Sequence, residues 1–152
     1  MTSQTAWEIA LRLLREQRLG VLGTNHQGHA YTSLVAFVAT GDVHRLYFAT
    51  TRATRKYNNL AKDQQVALLI DNRSRQETVL YEAAALSAYG QATEVSSGER
   101  EFALDLYLAK HPELKTFVSS PSTALFRISI ASYHLVQRFQ NVTEFRMDGC
   151  TS

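Results

Sequence analysis

Residues 50 to 56 read Thr-Thr-Arg-Ala-Thr-Arg-Lys, which puts three cations and three hydroxyls within seven positions. The segment follows an apolar strand pattern, Arg45 to Thr51, and leads into Tyr57, Leu60 and Ala61, which share one side of a helix, so Thr54 is expected as the N-cap. A helix start presents unpaired N–H groups and the positive end of the dipole, and therefore favours an anion. Arg55 adds a planar fork of donors, Lys56 a point charge, and Thr50 and Thr51 hydroxyls from the end of the strand. Thr50, Thr54, Arg55 and Lys56 are the candidate cradle for a monophosphate. A solvated basic face at a helix start explains the same residues without a ligand. The sequence lacks the Gly-rich run ending in Gly-Lys-Ser/Thr and any Gly-x-Gly-x-x-Gly, which weakens ATP and dinucleotide readings.

Other candidates are thinner. His26 and His29 have a spacing that invites a metal, but they flank a hairpin turn with no third ligand nearby in sequence. His44 and His111 fall at polar connections. His134, inside the last strands, is the better candidate for a functional histidine, against the simpler reading of a satisfied strand residue. No Ser-His-Asp arrangement or carboxylate pair can be assigned. Tyr31, Tyr47, Phe48 and Tyr57 surround the basic segment in sequence and suit either a stacked ring or core packing. Cys150 is the single cysteine, which excludes an intrachain disulfide and points to a reducing compartment.

The elements that must position these residues fit one domain over residues 1–152, with 45% apolar and 20% charged residues. A net charge of +2 gives no basic groove for nucleic acid. The apolar stretches Leu34 to Ala39 and Val66 to Ile70 are far shorter than the roughly 20 residues of a membrane span, and no secretory signal is present, so a cytoplasmic protein is expected. Thr5 and Glu8 read as a capping box opening a helix over 5–17. A hairpin follows, Leu19 to Thr24 and His29 to Thr40 joined through Asn25 to Gly28. Leu34 to Ala39 is apolar on both alternating sets, so both faces of that strand need cover. Arg45 to Thr51 is the third strand, and Gln65 to Asp71 the fourth and central one. Asn72 to Thr78 reads as an exposed loop and Tyr81 to Val95 as a strand. Ser96 and Glu99 form a second capping box before a helix to Lys110, stopped by His111-Pro112. A helical turn over Glu113 to Val118 and one or two strands from Thr123 to Phe139, bent near Ser132, complete an α+β barrel pattern of about six strands.

The succession Tyr31-Thr32-Ser33-Leu34-Val35-Ala36-Phe37, Leu46-Tyr47-Phe48-Ala49-Thr50-Thr51, Thr54-Arg55-Lys56, Asn59-Leu60 and Val66 to Ile70 resembles the FMN-binding split barrels related to pyridoxamine 5'-phosphate oxidase. The resemblance spans about Leu19 to Val95 and is loose beyond. It implies an α+β fold, a six-stranded antiparallel split β-barrel with flanking helices, and a homodimer holding two FMN molecules in its interface. It implies further that Arg55 and Lys56 bind the FMN phosphate, with Thr50 and Thr54 supporting it. Ser33, Leu34 and Val35 would line the flavin ring, and Asn72-Arg73-Ser74 would reach the flavin of the other subunit. The activity implied is FMN-dependent oxidation or reduction of a small molecule. Vitamin B6 is not the expected substrate, because the ending Arg146 to Ser152 lacks the Arg-Leu and terminal Pro of the oxidase. Haem binding or breakdown, with His134 as the axial ligand to test, and a deazaflavin cofactor are the alternatives within related barrels. A single-stranded nucleic-acid barrel is a third.

Overall fold

The computed structural model describes residues 3–73, 83–138 and 141–147. Ser74 and the rest of the expected loop to Thr78, the start of the run at Tyr81, Phe139 and Cys150 lie outside the described residues. In chain order the elements are α1 Ser3–Glu16, β1 Leu19–His26, β2 His29–Ala39, β3 Arg45–Thr51, α2 Arg55–Lys62, β4 Gln65–Asp71, β5 Ala84–Glu94, α3 Ser97–Lys110, a 3-10 turn Pro112–Leu114, α4 Lys115–Ser119, β6 Thr123–Gln137 and β7 Asn141–Arg146. The strands form one antiparallel sheet in the order β3-β2-β1-β4-β5-β6-β7, and pairing of β3 with β6 closes six of them into a barrel. β7 extends the sheet beyond the closure.

Two local features set this topology. Gln27 and Gly28 take φ of 51° and 83°, the double left-handed geometry that turns a two-residue hairpin with the right strand twist. On β6, Tyr89 pairs with Ser132 and Gly90 with Ile130, which leaves Ala131 as an extra residue. This bulge is the bend expected near Ser132. A Cβ on Gly90 would lie 2.1 Å from the Ser129 carbonyl oxygen, so only glycine lets the strands approach there. The first half of β6 closes the barrel against β3, and the second half pairs with β7.

Inward residues fill the barrel: Leu22, Phe37, Leu46, Phe48, Leu68, Ile70, Leu86 and Ile128 are fully buried, and the Phe48 and Phe126 rings stack at 5.4 Å. α1 packs Ala10 and Leu14 into the same core, while Trp7 meets Phe145 at 4.8 Å and Tyr133 at 6.3 Å. A second core lies outside the barrel, where α3 and α4 cover Val38, Tyr47, Ala49 and Leu125 with Ala103, Tyr107 and Val118.

Several expectations change. α1 begins at Ser3, which places Thr5 inside the helix rather than at its cap. Ser96 is an N-cap without a side-chain bond, the Glu99 N–H donating to its carbonyl at 3.1 Å, and the Glu99 carboxylate is drawn elsewhere: it accepts from Tyr47 at 2.5 Å, Arg127 at 2.8 Å and Arg45 at 3.3 Å. β4 is central but not covered on both faces, since Leu69 is 37% exposed. His111 is buried, with Nε2 2.7 Å from the Phe37 carbonyl oxygen, and so is no polar connector. β7 was not foreseen.

Candidate functional site

β2 and β3 are paired only from Phe37 with Phe48 to Ala39 with Leu46. Beyond that ladder Ala49 to Thr51 stay with β6, while Ala30 to Ala36 stay with β1. The strands part, and the split between them is a groove of about 270 Å³. Leu34, Val35 and Ala36 form one wall, Ala49, Thr50 and Thr51 the other, Thr54 and Lys56 the α2 end, and Tyr107, Leu114 and Phe117 the side toward α3 and α4.

Thr54 folds as anticipated. Its Oγ1 accepts the Tyr57 N–H at 3.1 Å and donates to the Thr51 carbonyl at 2.9 Å, with the Thr50 hydroxyl 3.2 Å away. These bonds fix the strand-to-helix corner, so the free N–H groups of the first turn keep a constant relation to the groove.

The three cations have different fates. Arg52 is committed to structure: it pairs with Glu94 at 2.8 Å and bonds Tyr57 and the Pro121 carbonyl at 3.2 Å each. Arg55 is exposed and held over the Tyr31 ring at 4.9 Å, its Nη1 donating to the Tyr31 hydroxyl at 2.9 Å. It stands beside the groove rather than in its lining. Lys56 is half-buried, lines the groove and has no partner among the described residues. Burial pushes its pKa down, the signature of a cation that has lost water without gaining a counter-charge.

Tyr107 donates to the Ala36 carbonyl at 3.2 Å, and burial lifts its pKa to about 12. Its hydroxyl therefore stays neutral and pins the β2 wall to α3. The groove thus brings together Leu34, Val35, Thr50, Thr54 and Lys56 of the anticipated set. Ser33, opposite Leu22 on β1, is not among the residues that line the groove. Asn72 and Arg73 sit at the end of β4 and do not line the groove of their own chain. The Asn72 Oδ1 accepts from the Ala84 N–H at 3.1 Å, and Arg73 pairs with Asp71 at 3.2 Å. Arg73 instead borders a second hollow of about 510 Å³, which shares Leu34 and includes Leu19, Val21 and Leu69. Sequence reasoning missed Ala36, Tyr107, Leu114 and Phe117 as lining residues. The spacing of Ala103 and Tyr107 marks a buried helix face, yet nothing in it says which strand gap that face borders.

His26 and His29 are cross-strand neighbours beside their turn, and no metal-binding cluster of three or more His, Cys, Asp or Glu occurs among the described residues. His134 lies on the outer face of β6, its ring 4.9 Å from Tyr89 and its Nε2 3.9 Å from the Glu144 carboxylate. No described helix is long and apolar enough to cross a membrane.

A family model described as pyridoxamine 5'-phosphate oxidase matches residues 7–137. No curated protein matches the chain. Among solved structures, a haem-binding protein from Mycobacterium smegmatis is 18% identical with a TM-score of 0.82, over 93% of this chain and 57% of its own. General stress protein 26 from Bacillus anthracis str. Sterne is 18% identical with a TM-score of 0.67, over 95% and 99%. A FAD-binding protein from Mesorhizobium loti is 13% identical with a TM-score of 0.68, over 89% and 94%. At these identities the likeness is one of fold, the split barrel.

Proposed function

Because the chain belongs to the pyridoxamine 5'-phosphate oxidase family, we propose that it is an FMN-binding flavoprotein that acts as a homodimeric oxidoreductase on a small molecule. The observation that carries this reading is Lys56, a half-buried cation without a counter-charge among the described residues, beside the Thr54-capped start of α2 in the β2–β3 split. A phosphomonoester supplies the missing charge. The hydroxyls of Thr50 and Thr54 and the first N–H groups of α2 would hold its remaining oxygens, and Arg55 would swing from Tyr31 to complete the grip.

Leu34, Val35 and Ala36 form an apolar wall suited to the flavin, with Tyr107 holding that wall in place. When bound, the isoalloxazine supplies the hydride or electron chemistry; the chain binds, orients and shields it. No side-chain acid or base is required for that division of labour. Haem is the weaker reading, since His, Cys and Met are all missing from the groove lining, and a deazaflavin's longer anionic tail calls for more cations than Arg55 and Lys56. The homodimer is supported by exposed Leu19, Leu34 and Leu69, an apolar patch of the kind that marks an interface.

The test is the double substitution Arg55→Ala with Lys56→Ala. Loss of two charge-assisted contacts is expected to weaken FMN by about 100-fold or more, with the circular dichroism spectrum unchanged. Undiminished affinity would remove the cradle assignment, and haemin binding insensitive to these substitutions would favour the haem reading.

A further inference from the structure

A cleft of about 330 Å³ lies between the end of α1, α3 and the turn from β2 to β3, and it shares no lining residue with the β2–β3 groove. Its volume falls at the small end of the roughly 300–1,000 Å³ of small-molecule sites. Leu14, Val38, Val43 and Leu106 make its walls apolar, while Arg15 and Lys110 bring two cations and no acidic residue lines it. Lys110 is half-buried. Its Nζ donates to the Leu14 carbonyl at 3.1 Å and lies 4.0 Å from the centre of the Phe37 ring, with no carboxylate partner among the described residues. An ammonium has three hydrogens to donate, and the carbonyl takes one. Burial and the nearby Arg18 charge push the Lys110 pKa down to about 8, so the amine has lost water without gaining an opposite charge. Acids close by are engaged elsewhere: Glu113 pairs with Arg18, and Asp42 accepts from the Thr40 hydroxyl at 2.7 Å and the His44 N–H at 3.0 Å. The C-terminal end of α1 favours a cation, which accounts for the bond to Leu14 but not for the apolar cleft beside it.

One wall of the cleft is held in an uncommon conformation. Val43 has φ of 57°, which a β-branched residue rarely adopts and which persists only where the surroundings fix it. Here its N–H donates to the Thr40 carbonyl at 3.0 Å, and its own carbonyl accepts from the Tyr133 hydroxyl at 2.7 Å. The wall is set before any ligand arrives. We propose that this cleft binds a small apolar monocarboxylate, with its hydrocarbon part against Leu14, Val38, Val43 and Leu106 and its carboxylate on the remaining donors of Lys110. A single negative charge supplies what the buried ammonium lacks, through a charge-assisted bond shielded from water. Arg15, exposed at the end of α1, adds a second donor to the same carboxylate. An apolar cation is repelled by both residues, and an uncharged ligand gains only the apolar contact. The cleft is separate from the β2–β3 groove, so it does not depend on the flavin reading.

The test is calorimetric titration of the full chain with octanoate and with 1-octanol, which has the same chain length and no charge. Octanoate is expected to bind once per chain, and 1-octanol at least about 10-fold more weakly. Lys110→Met, which keeps the apolar stem, is expected to weaken octanoate by at least about 10-fold and leave 1-octanol little changed. Lys110→Arg, which keeps the charge, should retain most of the octanoate affinity. Ala109→Trp crowds the cleft from an exposed position on α3 while leaving Lys110 in place, and should weaken both ligands with the circular dichroism spectrum unchanged. No octanoate binding, equal affinity for the two ligands, or octanoate affinity untouched by Lys110→Met or by Ala109→Trp would overturn the site. Competition between FMN and octanoate would place the carboxylate in the β2–β3 groove and overturn it equally.

Discussion

The outside of this barrel is treated in two ways. Over β2, β3 and the first half of β6, α3 and α4 bury Val38, Tyr47, Ala49 and Leu125 under Tyr107 and Val118. Over β1 and β4, and the start of β2, no helix packs, and Leu19 and Leu34 remain 52% and 61% exposed. Both halves carry apolar side chains outside the barrel, Val38, Tyr47 and Ala49 on one and Leu19, Leu34 and Leu69 on the other. One half finds its cover within the chain. The other keeps apolar side chains exposed, and the β2–β3 groove opens along the seam between them.

The comparison can be broken first on the covered side. Tyr107→Ala removes a fully buried ring together with its bond to the Ala36 carbonyl, and is expected to cost about 3–5 kcal/mol in urea unfolding. A cost near that of a surface change would mean that α3 is not part of the cooperative core. On the bare side, Leu34→Ala with Leu69→Ala should change the stability of the monomer at low concentration by less than about 0.5 kcal/mol. The same pair should raise the dissociation constant of the proposed dimer about 10–100-fold by analytical ultracentrifugation. A large loss of monomer stability would show that both residues are covered within one chain.

A pH-dependent effect lies at the border where α1 meets α3. Lys110 donates to the Leu14 carbonyl at 3.1 Å and sits 4.0 Å from the centre of the Phe37 ring. Burial, helped by the nearby Arg18 charge, pushes its pKa from 10.5 to about 8. Between those values the unfolded chain binds more protons than the folded one, so stability rises as the pH goes from about 8 toward 10.5. Lys110→Met should flatten that rise in denaturation midpoints measured across that range. An unchanged slope would place the titration elsewhere.

Much of the barrel was legible because strand alternation and turn chemistry are local: the bounds of β3 and β4, the Thr54 cap and the bend near Ser132 all follow from neighbours in sequence. The failures share a different cause. Glu99 follows Ser96 at capping-box spacing, but two guanidinium groups and a tyrosine from other strands outbid the backbone N–H. His111 looked like a polar connector because nothing near it in sequence reveals the Phe37 carbonyl, 74 residues away. In the site, the cations were found as a group, but their division into Arg52 on Glu94, Arg55 on Tyr31 and Lys56 without a partner among the described residues depends on tertiary contacts. Tyr107 and Phe117 reach the groove from helices far along the chain and carried no signal beyond apolar spacing.

The central claim is that the β2–β3 split holds FMN by its phosphate. The most direct measurement is a parallel equilibrium titration of the protein with FMN and riboflavin, followed by flavin fluorescence and absorbance. The account predicts near-stoichiometric FMN binding and riboflavin weaker by about 100-fold, or roughly 3 kcal/mol. Equal affinities for the two flavins, or no uptake of either, would contradict it.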